Sequence, residues 1–289
     1  MQDYTYWAKR NVYLAYAITM FQNSSASLPI WILFYTQQLQ LSVTAAVALG
    51  MARWASMAIC NIPTGAWADR LGRMRIFRIG QFGAALTFLP FLVTDNYLLL
   101  LCSQIIGGLF AAMSSGIIEP VIRESYELAG RSNHDYTRFL SNNTVVLYVA
   151  RLVAGILGAW LYAAHPYGPY LSEAIVLGLA FCCSLGIKEF VQKHNATATN
   201  NQHIAQALRY VWSHTYLRNF FVAMVLVSIT TEGIWTALQP TFQLRGIAPA
   251  QFGLLFGIIA VVSAIGAFAS RHFVDKYDGV KLYLLQGVL

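Results

Sequence analysis

A chain of 289 residues that is 57% apolar and only 11% charged, with a mean hydropathy of +0.52, is not a water-soluble domain, where about a quarter of residues are charged. This is the composition of a polytopic membrane protein. The net charge of +7 does not indicate nucleic acid, because the basic residues sit in short turns between apolar runs and not on one amphipathic face. Cys60, Cys102, Cys182 and Cys183 all fall in apolar stretches, without CxxC spacing or a nearby histidine cluster, and read as small buried hydrophobes with no metal to hold.

Apolar runs near 12–36, 44–67, 76–94, 97–119, 143–163, 170–187, 219–243 and 250–270 have the length of about 20 residues that crosses hydrocarbon, and a ninth begins at Lys281. The expectation is an all-α protein with eight complete transmembrane helices and the start of a ninth. The first run is long and studded with polar residues, so it is read as a retained span and not as a cleaved signal peptide. Pro29, Pro63 and Pro90 are read as kinks or span ends, not as breaks.

Orientation follows from the basic residues. Sixteen of the nineteen fall before span one or after spans two, four, six and eight, while the opposite loops hold only Arg245. Arg53 and Arg151 lie within spans. The amino terminus and the loops leaving even-numbered spans are therefore expected on the cytoplasmic side.

The one long polar connection, with Asn195-Ala-Thr-Ala-Thr-Asn-Asn201 at its centre, divides six spans from the rest. The expected organisation is a six-helix bundle over 1–187, a cytoplasmic linker over 188–217 and a partial second bundle over 218–289. An internal repeat agrees with this division. Asp69-Arg70 follows Trp31 by 38 residues, Asp275-Lys276 follows Trp235 by 40, and the two acid-base pairs are offset by 206. That period implies a parent chain of about 400 residues, cut here after the second span of its second half.

The turn after span two reads Gly65-Ala-Trp-Ala-Asp69-Arg70-Leu-Gly72-Arg73-Met74-Arg75, with Arg78 just beyond. So many charges cannot lie in hydrocarbon. The order GxxxDRxGRxR resembles the loop between the second and third helices of the major facilitator superfamily of transporters. The resemblance implies that fold and a gate latch formed by Asp69, Arg70, Gly72 and Arg73, with Gly65 allowing close helix approach. Met74 stands where the family usually has a basic residue. Beyond span four, Glu119-Pro120-Val-Ile-Arg123-Glu124 resembles a branch of the superfamily with acids near this position, and Glu119 or Glu124 is expected to pair with Arg70 or Arg73.

Polar residues deep in spans are expensive in lipid and are expected to face a cavity or a partner. Span one offers Gln22 and Asn23. Arg53 lies on span two and Arg151 on span five. Span seven carries Glu232, Trp235 and Gln239 at helical spacing. These are the candidate substrate or proton path, with Glu232 a candidate proton carrier unless Arg53 or Arg151 holds it ionised. Two features of the family are missing. The basic residue expected before the Gly107-Gly108 pair is replaced by Ser103 or Gln104, and span five has Gly155 and Gly158 but no Gly-Pro pair.

No Walker A loop, nucleophile elbow, zinc-ligand pair or dinucleotide turn appears, which argues against an ATP-driven pump or a membrane enzyme and implies no cofactor. The expected function is movement of a small molecule by alternating access in a bacterial-type plasma membrane, with proton-coupled efflux preferred. The partners implied are substrate, protons and the lipid bilayer, around a monomer. Uptake is the rival within the class; a transporter-like sensor or assembly protein that does not cycle is the rival outside it.

Overall fold

The computed structural model describes residues 2–190, 209–210 and 212–274, and among them every regular element is helical. The first span is α1 (Gln2–Asn23) and α2 (Trp31–Leu33), the latter extended by one π-helical turn (Phe34–Gln38). Then follow α3 (Val43–Leu71), α4 (Arg73–Leu86), α5 (Pro90–Val93), α6 (Tyr97–Ser114), α7 (Ile118–Leu128), α8 (Asn133–Ala164) and α9 (Gly168–Leu185), with α10 (Thr215–Leu244) and α11 (Pro249–Val274) after the linker. Among the described residues, five stretches are long and apolar enough to cross a membrane: 43–71, 73–93, 97–128, 133–164 and 168–185. The expected ninth span and the second acid-base pair lie outside the described residues, as does most of the linker.

Local chemistry sets the helix starts. Ser42 accepts from the Ala45 N–H at the head of α3, Asn96 accepts from Leu98 and Leu99 at the head of α6, and Ser132 with Asp135 forms a reciprocal capping box on α8. Each such cap is worth about 1 kcal/mol against alanine.

Several spans are less continuous than the sequence suggests. Pro29 is not a kink: residues 24–30 are unwound between α1 and α2. Proline has no N–H to continue the ladder, and neighbouring side chains take up freed carbonyls, Asn23 donating to Thr19 O at 2.9 Å and Ser24 to Met20 O at 2.7 Å. Pro90 restarts a short helix, α5, after an irregular turn, whereas Pro63 is carried inside α3. The fourth span bends at Gly116, so Glu119 sits in the first turn of a separate helix and not on a straight continuation of α6.

The helices bury their faces on one another and leave an apolar exterior. α3 packs along α6, α4 lies between α6 and α9, and α1 contacts α7, α8 and α9. Trp54, Ile59, Val93, Leu98 and Trp160 are exposed, as expected where the solvent is lipid. Two cores result. One, near the charged loop, gathers Ile18, Met74, Phe77, Val121, Ile122 and Phe139; the other, at the far end, gathers Phe34, Tyr35, Phe91, Tyr170 and Phe252.

Candidate functional site: a charged latch and a pinned break

The charged loop is built by one backbone conformation. Gly72 ends α3 at φ 97° and ψ 131°, a region closed to residues with a Cβ, and α4 resumes at Arg73. The new helix has no side-chain cap of its own. Glu189, from the segment leaving α9, supplies one: its carboxylate accepts from the Arg73 N–H at 2.8 Å and the Met74 N–H at 3.1 Å, placing negative charge at the positive end of α4.

Arg73 lies between two acids. Its Nη1 meets Glu124 Oε1 on α7 at 2.6 Å, and its Nε stands 3.7 Å from Asp69 Oδ1. Of the pairings expected from sequence, Arg73 with Glu124 is the one formed; Glu119 is exposed, and neither it nor Arg70 makes an ion pair among the described residues. Gly65 faces open space, since a Cβ there would meet nothing within 4 Å. Met74, the departure from the family pattern, is 1% exposed and fills the core beside Phe77, which no basic side chain could do.

The segment that supplies Glu189 is itself tied down. Asn11 pairs with the backbone of Lys188 in both directions, donating at 2.8 Å and accepting at 3.1 Å, and also donates to the Ser125 hydroxyl. Arg78 donates to the carbonyls of Ser184 and Ile187. α1 and α4 thus both hold residues 184–190, and α7 joins them through Asn11.

At the far end the unwound segment of the first span is held from three sides. Glu173 of α9, 5% exposed, accepts through Oε1 from the Ser25 hydroxyl at 2.6 Å, the Ser27 hydroxyl at 2.7 Å and the Ser27 N–H at 3.1 Å. From α10, Gln239 donates to Leu28 O at 2.8 Å and accepts from the Ile32 N–H at 3.0 Å, so one amide bridges the unwound segment and the helix α2 that follows it. From α8, Gly158 lies so close that a Cβ would collide with the Ala26 carbonyl.

Arg53 enters the same half of the bundle from α3. Its Nη1 donates to Gln104 Oε1 at 3.3 Å and its guanidinium lies 5.2 Å from the centre of the Phe88 ring. Gly107 leaves room for it, since a Cβ there would collide with the guanidinium. The basic charge missing from span four is therefore supplied beside Gln104 by a neighbouring helix. Gln104 in turn donates to the Tyr35 hydroxyl at 2.8 Å.

The other path residues are not drawn into this site. Gln22 is half-buried near the end of α1, Asn23 is spent on its own helix, and Arg151 is exposed on α8. The side chains of Glu232 and Trp235 on α10 lie outside the described residues. α11 packs along α8, where a Cβ on Gly253 would collide with the Gly155 carbonyl. An apolar cleft of about 250 Å³, lined by Leu152, Ile156, Leu254 and Gly257 among others, runs along this seam.

Sequence reasoning missed Glu173 and Glu189. A carboxylate inside the apolar run 170–187 was a usable signal, by the same cost argument that singled out Arg53. Glu189 had none, because capping a helix 116 residues away leaves no mark on local sequence.

A membrane-embedded helical bundle with a basic hinge between its second and third spans, and a second set of helices packed on its fifth, defines a multi-pass protein of transporter architecture. The chain belongs to the Major Facilitator Superfamily, whose family model matches residues 12–289. It is 24% identical over 263 residues to the uncharacterized MFS-type transporter YxaM of Bacillus subtilis (strain 168), covering 86% of this chain and 63% of that protein. It is 22% identical over 283 residues to the uncharacterized MFS-type transporter YqjV of the same organism, covering 94% and 66%. The chain thus spans less than two thirds of the length of either relative. Its fold resembles the nucleoside transporter NupG (TM-score 0.69, 12% identity, 94% of this chain and 68% of that one) and a D-xylose-proton symporter (0.67, 16%, 94% and 70%).

Proposed function

We propose that this chain is the six-helix bundle (1–187), the linker (188–217) and the beginning of the second bundle (218–289) of a secondary active transporter that moves a small molecule across the plasma membrane by alternating access. Its amino terminus is cytoplasmic, which the sixteen basic residues gathered on one side support. The observation that carries the reading is the grip of Gln239, from the second bundle, on Leu28 of the unwound segment and Ile32 of the helix that follows it. Such a contact closes the outer end, opposite the charged loop, and has to be released when the bundles rock. Asp69, Arg73 and Glu124 form the matching latch on the cytoplasmic side.

Proton-driven efflux is the preferred coupling, with Glu232 carrying the proton and Arg53 and Arg151 holding charge along the path. The test uses inverted membrane vesicles containing the chain and three probes: ethidium, uridine and xylose. Uptake of a probe into inverted vesicles that collapses with an uncoupler and with Glu232→Gln supports proton antiport. Flux unchanged by both defeats proton coupling, flux only in right-side-out vesicles reverses the direction, and probe binding without flux replaces the transporter with a sensor.

A further inference from the structure

Two opposite charges are placed in the far half of the first bundle without touching. Arg53 comes from α3 and Glu173 from α9, and the first span runs between them. No ion pair joins them among the described residues, yet a charge held in this setting is expensive unless something compensates it. From Arg53 a run of contacting side chains leads as far as Tyr170. Arg53 donates to Gln104, and Gln104 donates to the Tyr35 hydroxyl. The Tyr35 and Tyr170 rings, 2% and 1% exposed, both stack on Phe91, at 5.7 and 5.2 Å between centroids. Tyr170 lies one turn before Glu173 on α9, and its buried hydroxyl makes no hydrogen bond of good geometry. Arg53 and Glu173 are within coulombic reach of each other and of Tyr35.

The two ends of this path act on different things. At one end Arg53 is fixed by packing, wedged against Gly107 and Phe88. At the other, all three hydrogen bonds that Glu173 accepts come from Ser25 and Ser27, inside the unwound segment that Gln239 grips a few residues later at Leu28 and Ile32. Three donors converge on that single carboxylate oxygen, and negative charge gathered in this setting is stabilised by a countercharge.

We propose that Arg53 and Glu173 are positioning residues acting as one charge-compensated unit, which holds the unwound segment of the first span in the register that Gln239 recognises. Arg53 then serves the break as well as the path. Its purpose as part of a gate rests on the alternating-access reading, but the structural claim does not. Hydrogen exchange of the chain in lipid nanodiscs, read on the backbone of residues 24–32 and 237–243, separates the two, because exchange requires no flux.

Glu173→Gln keeps an acceptor for the serines and removes the charge, while Arg53→Gln keeps a donor for Gln104 and removes the opposite charge. Each alone is expected to speed exchange in both segments about tenfold. The double variant, with no charge left to compensate, is expected to return within about twofold of the unchanged chain. Ser25→Ala with Ser27→Ala is expected to loosen 24–32 with both charges intact. Silent single variants overturn the proposal, and so does a double variant whose effect is the sum of the two. Restoration by the double variant decides the matter whether the single changes loosen this segment or the whole bundle. An unchanged exchange rate in the serine variant shows that the hook is not made and overturns it as well.

Discussion

Arg73 and Glu124 meet at 2.6 Å across the corner where α3 gives way to α4 and α7 turns away from α6, with side chains 32% and 22% exposed. The pair joins the first residue of α4 to the middle of α7, 51 residues away in sequence. It is sheltered enough to contribute and still partly solvated.

A double-mutant cycle on this pair, Arg73→Ala against Glu124→Ala, should give a coupling energy of about 1 kcal/mol, at the upper end for exposed pairs. Thermal unfolding in detergent, followed by tryptophan fluorescence, measures it. Raising salt should shrink the coupling, because the pair is partly solvated. A coupling indistinguishable from zero at low salt would remove the pair from the latch.

Two glycines of the same motif should behave oppositely. Gly72→Ala places a Cβ on a backbone at φ 97° and should destabilise the protein by about 1–3 kcal/mol. Gly65→Ala sits in a helix facing open space and should stabilise by about 0.5–1 kcal/mol. Midpoints of thermal unfolding for the two variants report both signs.

Removing the borrowed cap is the third test. Glu189→Ala leaves the Arg73 and Met74 amides without their acceptor and should cost about 1 kcal/mol, while Glu189→Gln, which keeps one acceptor oxygen, should cost less. Amide exchange at the first turn of α4 should rise in the alanine variant. Protection that survives the change would mean another group caps this helix.

Gln239→Leu matches size and removes both hydrogen bonds, stranding the Leu28 carbonyl and the Ile32 N–H at about 1–3 kcal/mol each. The contact between α10 and the first span should loosen. Spin labels at the exposed positions Val43 and Leu244, in a background without the native cysteines, should show a wider and longer distance distribution than in the unchanged chain. An identical distribution would show that this amide does not hold the bundles together.

Much of this protein was legible in one dimension. Apolar run length located the helices, although α1 and α8 each begin about ten residues before the expected spans, and the GxxxDRxGRxR turn pointed to the family. Arg53 and Gln239 were found because a polar group inside an apolar run has to be explained. Their partners were not legible. Arg53 was expected on a substrate path and lies against Gln104 and Phe88; Gln239 was expected to face cargo and grips backbone.

The unwound segment at residues 24–30 shows why. Pro29 weakens the helix locally, but one proline inside α3, Pro63, is absorbed without a break. Whether a proline kinks or unwinds a span depends on who satisfies the freed backbone groups, and here Glu173 and Gln239 do so from 146 and 207 residues away.

The sequence by itself determined the solvent, the order of the helices, the side that collects positive charge and the family, because burial in lipid and local turn chemistry are written in neighbouring residues. Only the tertiary structure decided that Arg73 takes Glu124 and not Glu119, that Glu189 caps a distant helix and that the first span is broken and pinned. Those outcomes are set by hydrogen bonds and charges brought together by packing, between residues that share no local pattern.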